Sequence, residues 1–207
     1  MRALLRADEV LAKCINRLAV EYDGGVHAKH RLMQYHDFFV DRVKPDERVL
    51  DIGCGYGAVA YSVASRAHAM VTGMDLNADN IAKAGRLFQH PNLTFMQGDV
   101  LKDLPENSVD VVMLSNILEH IERRVEFLQG VHQRLAPRRW LIRVPMFNRD
   151  WRVPLRKELG LFYFSDRTHF TEYTQESFEQ EIADAGLAIV HLQINWGEIW
   201  AEARRGA

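Results

Sequence analysis

Short apolar segments alternate with amphipathic ones through the middle of the chain. Five runs rich in aliphatic and β-branched residues are predicted as strands, over residues 48–52, 70–74, 93–96, 109–114 and 140–144. The stretches between them carry helical spacing and predict helices over 58–67, 78–88 and 122–135. Strands that alternate with helices are typical of βαβ units and a parallel sheet. We therefore predict an α/β core over residues 46–145.

The segment before this core has a different pattern. Apolar residues recur at helical spacing at Leu4, Leu5, Leu11, Ile15 and Leu18. The sequence Asp23-Gly24-Gly25 ends this helix, and a second helix is predicted over residues 28–43, before Pro45. We expect residues 1–45 to form a helical lid.

The segment after the core is less regular. Residues 146–170 are aromatic and basic and are predicted as an irregular insert on the substrate side. A helix over 175–185 ends at Gly186, and strands over 187–195 and 198–203 flank Trp196-Gly197 as a hairpin. The sequence thus predicts one domain over residues 1–207. Its fold would be a Rossmann-like, doubly wound, seven-stranded sheet, mostly parallel, with an antiparallel C-terminal hairpin and helices on both faces.

Composition narrows the choice of partner and compartment. The net charge is −2, which provides no overall field for nucleic acid or an acidic membrane, so neither is an expected partner. Cys14 and Cys54 form neither a disulfide framework nor a zinc motif, which favours a reducing compartment. No leader-like segment or long apolar run is present in the sequence, so we expect a cytoplasmic protein without a membrane span.

A glycine-rich loop follows the first strand, with the sequence Asp51-Ile52-Gly53-Cys54-Gly55-Tyr56-Gly57. Glycines at such a turn permit positive φ and allow a ligand to approach the backbone, and the next helix offers free N–H groups. A dinucleotide site is one interpretation, because Gly53, Gly55 and Ala58 fit its pattern and Asp75 ends the second strand. A ribose diol occurs in several cofactors, so Asp75 alone does not decide between them.

Further residues favour another cofactor. Asp51 precedes the first glycine, Gly57 extends the loop, and Asp99 follows the third strand. The stretches over residues 49–57, 71–75, 109–112 and 118–120 resemble those of class I S-adenosylmethionine-dependent methyltransferases. The resemblance covers residues 48–145 well and the tail more loosely. An NAD-dependent oxidoreductase and a cofactor-binding protein without catalytic activity are the alternatives.

The resemblance implies S-adenosylmethionine as cofactor and a role for nine residues. The glycines would lie along the methionine part of the cofactor, Asp51 would orient its amine, and Asn116 would face the methionine end. Asp75 would bind the ribose hydroxyls, Leu76 would lie against the adenine, and Asp99 and the Val100 N–H would bind the adenine edge. The nine residues are Asp51, Gly53, Gly55, Gly57, Asp75, Leu76, Asp99, Val100 and Asn116.

Two histidines are the candidates for proton transfer. A sulfonium is already an activated methyl donor, so the protein has to align a nucleophile and manage one proton. His120 follows the fourth strand, and His169 lies in a polar, aromatic segment where Asp166 is a candidate to orient it. The alternatives are a helix-capping or cofactor-lining role for His120 and a purely structural loop around His169.

Basic residues are concentrated between residues 134 and 157. Arg143, Arg149 and Arg152, together with Tyr163, are candidate substrate-binding residues for an anionic acceptor, with a solvated surface as the alternative. The tail resembles small-molecule methyltransferases associated with bacterial cell-surface glycan assembly. That resemblance implies a small-molecule acceptor with a sugar hydroxyl or a sugar-linked anionic group. An RNA or another small molecule is the alternative acceptor.

No metal site is predicted from the sequence. His27, His30 and His36 cluster near the N-terminus, but their spacing includes no acids or cysteines that would complete a ligand set. We interpret them as part of the lid, close to the cofactor.

Overall fold

A seven-stranded sheet forms the centre of the computed structural model, which describes residues 1–105 and 108–206. The strand order is β3-β2-β1-β4-β5-β7-β6. The strands are β1 Arg48–Ile52, β2 Met70–Asp75, β3 Leu93–Gln97, β4 Val111–Ser115, β5 Arg139–Pro145, β6 Leu187–Asn195 and β7 Glu198–Arg205. The helices are α1 Arg2–Tyr22, α2 Lys29–Met33, α3 Tyr35–Val40, α4 Ala58–Arg66, α5 Ala78–Leu87, α6 Arg124–Leu135, α7 Arg152–Glu158 and α8 Gln175–Asp184.

The topology of the sheet determines where a ligand can bind. Strands β1 to β5 pair in parallel, whereas β7 runs antiparallel to both β5 and β6. The strand order reverses beside β1, which pairs with β2 on one side and β4 on the other. In open α/β sheets, ligands bind at the carboxyl ends of the strands next to such a reversal. The predicted sheet, with its antiparallel C-terminal hairpin, is confirmed.

Side chains of the central strands point alternately to the two faces of the sheet, which divides the core into two layers. Leu50 of β1 packs in the cluster that includes α6 and α8, whereas Val49 packs in the cluster with α3 and α4. Neighbouring residues of a strand point to opposite faces, so a strand covered by helices on both faces must be apolar throughout. The predicted placement of helices on both faces is confirmed.

Two predicted segments differ from the structure. The helix predicted over residues 28–43 is instead divided into α2 and α3, because Gln34 adopts a left-handed conformation with φ of 51°. The insert over 146–170, predicted as irregular, contains α7. The helical spacing of α7 was hidden by the density of arginines, two of which form ion pairs with α1.

The N-terminal helix forms as predicted but does not bury its apolar stripe. Leu4, Leu11, Ile15 and Leu18 are exposed, and Leu5 is buried. Helix α1 contacts the rest of the protein through polar residues such as Asp8, which pairs with Arg152 and Arg156 of α7. Helix α1 is 21 residues long. Neither α1 nor any other helix within the described ranges has the continuous apolar run that a bilayer crossing requires.

Candidate active site

The glycine loop places three residues in the left-handed region of backbone space, for different reasons. A Cβ on Gly53 would lie 2.0 Å from the Ile117 side chain, and one on Gly57 would lie 2.4 Å from Phe95. A Cβ on Gly55, where φ is 54°, would meet no atom within 4 Å. Gly53 and Gly57 are therefore required by packing inside the protein. The open space at Gly55 is available to a ligand.

A cavity of about 520 Å³ lies at the carboxyl ends of β1 and β4. Four of the predicted cofactor-binding residues line it, namely Asp51, Gly53, Gly55 and Asn116. The opposite wall comes from the N-terminal segment, with His27, Lys29, His30 and Tyr35 among its residues. We call this space the cofactor cavity.

The other five predicted cofactor-binding residues lie outside the lining of this cavity. Asp75 supports the glycine loop, since its Oδ2 accepts a hydrogen bond from the Gly55 N–H at 2.8 Å and its Oδ1 accepts one from Asn77. Leu76 is exposed. The Asp99 carboxylate pairs with Lys102, and this hydrogen bond holds the pKa of Asp99 below its usual range. Roles for these residues in ribose and adenine binding stay predictions.

Two buried acceptor atoms in the cofactor cavity have no partner within the described chain. They are Oδ2 of Asp51 and Oδ1 of Asn116. Burial, followed by the nearby charge of Asp75, raises the pKa of Asp51 to about 8. A buried acceptor without a hydrogen bond is costly, and a ligand that presents a cation and N–H donors relieves that cost. These two residues fit a ligand with an ammonium and a sulfonium better than one with a pyrophosphate.

A second cavity, also about 520 Å³, adjoins the first and shares Lys29 and Asn116 with it. Its lining brings together the three predicted catalytic residues, His120, His169 and Asp166. The segment that carries His169 is held in place because the Phe170 N–H donates to the Glu119 carbonyl at 2.8 Å. We call this space the acceptor cavity.

The two imidazoles of the acceptor cavity are oriented by different partners. Their rings meet edge to face with centroids 4.4 Å apart. Nδ1 of His169 lies 3.1 Å from Glu172 Oε1, so Glu172 contacts this ring, whereas Asp166 had been the expected partner. Nδ1 of His120 lies 2.8 Å from the Thr168 hydroxyl, which in turn donates to Asp166 at 2.7 Å. Asp166 therefore orients His120, through Thr168. Burial and the neighbouring His169 lower the pKa of His120.

Sequence reasoning did not identify Glu119 as a site residue. Its side chain is fully buried beside the two histidines, and neither carboxylate oxygen has a partner within the described residues. Burial raises the pKa of Glu119 to about 8. The available signal was an acid in a one-turn 3-10 helix, Leu118–His120, that follows a buried strand after two residues. Glu172, Thr168 and Lys29 were missed as well.

The arginines predicted to bind substrate are all paired with carboxylates. Arg143 is buried, makes two hydrogen bonds to Glu198 at 2.6 and 2.8 Å, and lies over the Tyr35 ring. Arg149 pairs with Glu172 at 2.5 Å, and Arg152 pairs with Asp150 and Asp8.

The fourth predicted substrate-binding residue, Tyr163, stacks on Phe164. It lines neither the cofactor cavity nor the acceptor cavity. Lys29 lines both, and no described carboxylate lies within ion-pair distance of it. Burial lowers the pKa of Lys29.

The N-terminal histidines form a hydrogen-bonded chain. His30 Nδ1 and His36 Nε2 are 2.8 Å apart, the Tyr35 hydroxyl also contacts His30, and His36 Nδ1 contacts Ser62. Burial lowers the pKa of His30 and of His36 to about 4, so both are neutral near pH 7. This chain joins the wall of the cofactor cavity to α4.

Comparison with known proteins gives the family. A family model described as a methyltransferase domain matches residues 25–192. Sterol 24-C-methyltransferase ERG6B of Gibberella zeae is 33% identical over 98 residues, which cover 45% of this chain and 25% of that protein. The ubiquinone biosynthesis O-methyltransferase of Vibrio cholerae is 34% identical over 95 residues, which cover 44% and 38%.

A solved structure shows the same fold. The magnesium protoporphyrin IX methyltransferase of Synechocystis with bound S-adenosylhomocysteine superposes with a TM-score of 0.66 at 21% identity, over 84% of each chain. The chain belongs to the family of methyltransferase domains, whose methyl donor is S-adenosylmethionine. It spans between a quarter and about half of the length of the first curated relatives that it matches.

Proposed function

We propose that this protein transfers a methyl group from S-adenosylmethionine to an oxygen atom of a small molecule. The observation that carries the proposal is the pair of unpartnered buried acceptors, Asp51 Oδ2 and Asn116 Oδ1, in a cavity that continues into one lined by two histidines. The family supports methyl transfer over hydride transfer by a nicotinamide cofactor.

The proposed cofactor geometry follows the order of the strands. Gly55, Asp51 and Asn116 would hold the methionine part, with the two unpartnered acceptors available to its ammonium. At the ends of β2 and β3, Asp75 would bind the ribose hydroxyls, and Leu76, Asp99 and Val100 would bind the adenine. Asp75 has lone pairs left beyond the bond from Gly55, because a carboxylate oxygen accepts more than one hydrogen bond.

The transfer itself needs alignment and one proton acceptor. The acceptor oxygen forms a bond to the methyl carbon as the carbon–sulfur bond breaks, and the hydroxyl proton must leave. The imidazoles of His169 and His120 face the acceptor cavity and are the proposed groups that contact this hydroxyl. Glu172 positions His169, and Asp166 positions His120 through Thr168.

The class of acceptor is proposed from the charges that remain available. The paired state of Arg143, Arg149 and Arg152 removes them as the anion site, whereas Lys29 lies between the two cavities. We therefore assign recognition of an anionic or sugar-linked acceptor to Lys29. Relatives include a malonyl-[acyl-carrier protein] O-methyltransferase and a fatty-acid O-methyltransferase, which supports oxygen as the methylated atom.

A labelling screen tests the proposal. The protein is incubated with methyl-labelled S-adenosylmethionine and separate pools of sugars, sugar phosphates, carboxylic acids, phenols and short RNAs. We expect label in a small-molecule pool at a hydroxyl or carboxylate oxygen. Label in the RNA pool alone would contradict a small-molecule acceptor. Tight cofactor binding with no label in any pool would favour a cofactor-binding protein without catalytic activity.

A further inference from the structure

Three potential metal ligands converge at the wall of the acceptor cavity. Glu119, His120 and His169 each offer a nitrogen or oxygen atom, and these three atoms lie within 4.8 Å of one another. All three residues line the cavity, so a group held between them would be reachable from it.

The hydrogen bonds around the two histidines leave the same ring atom available on each. The Thr168 hydroxyl donates its hydrogen to Asp166, so it must accept the hydrogen bond from the Nδ1–H of His120. Nδ1 of His169 faces the Glu172 carboxylate, which accepts only. In the neutral tautomer that these contacts favour, each ring has its hydrogen on Nδ1 and a lone pair on Nε2. A metal-binding histidine usually has this arrangement, with its other nitrogen donating to an oxygen.

Glu119 supplies the third observation. Its carboxylate is fully buried, and neither oxygen has a partner in the described part of the chain. The nearby positive charge of Arg143 is already taken up by the two oxygens of Glu198. A buried carboxyl without hydrogen bonds is destabilising unless a cation or donor satisfies it.

We propose that Glu119, His120 and His169 bind a divalent transition-metal ion, of the class of Zn²⁺, Mn²⁺, Fe²⁺ or Co²⁺. Two imidazoles and one carboxylate suit these ions, and three protein ligands leave coordination positions open towards the cavity. The sequence predicted no metal site. The ligands come from two distant segments that meet through the bond between Phe170 and Glu119.

The role of the ion rests on the proposed function. An acceptor hydroxyl bound at an open position would lose its proton more readily, because the ion stabilises the alkoxide or phenolate. The oxygen then attacks the methyl carbon, the carbon–sulfur bond breaks, and the proton leaves through the cavity to solvent. The ion undergoes no redox change. With the ion bound, the histidines act on the hydroxyl through the ion, in place of the direct contact described under the proposed function.

Metal binding can be measured without any acceptor. Untagged full-length protein is stripped with a chelator and dialysed against Mn²⁺ or Zn²⁺ alone, and bound metal is counted by mass spectrometry. We expect one ion per chain and a higher melting temperature with metal. The substitutions Glu119→Gln and His169→Ala should each lower the affinity by at least about tenfold. The matched control is His191→Ala, which alters an exposed histidine on β6 and should bind as the wild type does.

Other outcomes are equally informative. Absence of bound metal in the wild type, or equal binding by the wild type and both ligand variants, would overturn the proposal. S-adenosylhomocysteine binding by each variant confirms that the protein is folded, and Glu119→Gln preserves the shape of the side chain. If metal binds as expected but the cofactor does not, the metal site stands and the proposed function is wrong.

Discussion

The cofactor cavity and the acceptor cavity meet at Asn116 but satisfy their polar groups differently. In the cofactor cavity, the unpartnered acceptors are Asp51 and Asn116, close to a glycine loop with open space at Gly55. In the acceptor cavity, Arg149 is paired, and a buried carboxylate without a partner among the described residues, that of Glu119, lies beside two histidines. The first arrangement favours a ligand that brings its own cation. The second favours an ion held by the protein.

The largest expected effect distinguishes the open glycine from the packed ones. Gly55→Val should lower the affinity for S-adenosylhomocysteine by at least about 100-fold, because its side chain would project into the cofactor cavity. The positive φ adds a cost of about 1–2 kcal/mol in stability. Calorimetry measures the affinity, and Gly85→Ala, in open space on α5, is the matched control. An unchanged affinity would show that the ligand does not approach this loop.

The second prediction concerns the unpartnered carboxyl of the cofactor cavity. Asp51→Asn should weaken S-adenosylhomocysteine binding by about 10–100-fold, because a neutral amide accepts a hydrogen bond but offers no negative charge to the ammonium. The exposed Asp79→Asn is the control and should bind normally. Equal affinities for the two variants would remove Asp51 from the site.

The same variant has a pH signature. The folded-state pKa of Asp51 is about 8, above its ordinary value of 3.8. The folded state therefore binds more protons than the unfolded chain between pH 4 and 8, and this residue lowers stability as pH rises through that window. Ligand-free Asp51→Asn should be more stable than the wild type by about 1–3 kcal/mol near pH 8 and closer to it near pH 5. Urea unfolding at both pH values measures this.

The third prediction separates Lys29 from the paired arginines. With the acceptor that the labelling screen identifies, Lys29→Met should raise KM about tenfold if that acceptor is anionic. Arg152→Met should leave KM unchanged, because its charge is already neutralised by Asp150 and Asp8. The opposite pattern, with KM sensitive to Arg152 and insensitive to Lys29, would restore the interpretation based on the arginines.

The smallest expected effect is on the wall of the cofactor cavity. His30 and His36 have pKa values of about 4, below the ordinary 6.5, and they face Lys29, Arg143, Arg66 and Asp37. The unfolded chain therefore binds more protons than the folded one between pH 4 and 6.5. The free energy of unfolding consequently decreases as the pH falls through this range. We expect hydrogen exchange in α2 and α3 to show about 1 kcal/mol less protection at pH 5 than at pH 7.5. His36→Gln should reduce this difference in protection. Protection that is the same at both pH values, after correction for intrinsic exchange, would contradict the assignment.

Sequence patterns predicted the fold, the glycine loop of the cofactor cavity and three of the residues that line the acceptor cavity. The central strands are buried on both faces, so their apolar runs were readable, and the glycine loop lies within seven consecutive residues. The break between α2 and α3 at Gln34 could not be predicted, because no strong local sequence signal marks a glutamine in the left-handed conformation. The acceptor cavity depends on contacts between residues near 119 and near 169, which no local pattern encodes.

The arginines show what residue type alone leaves out. A count of basic residues does not include the carboxylates that neutralise them. Those carboxylates cannot be identified from nearby sequence, because Glu198, Glu172 and Asp8 lie far along the chain from their arginine partners. Glu119 shows the converse, since a single acid gains significance only once its burial and lack of partners are known.

The central claim is that the glycine-loop cavity binds S-adenosylmethionine. Isothermal calorimetry of the untagged protein with S-adenosylhomocysteine and, separately, with NADH tests it most directly. We predict one S-adenosylhomocysteine bound per chain and no heat from NADH. Binding of NADH by a protein that ignores S-adenosylhomocysteine would contradict the claim.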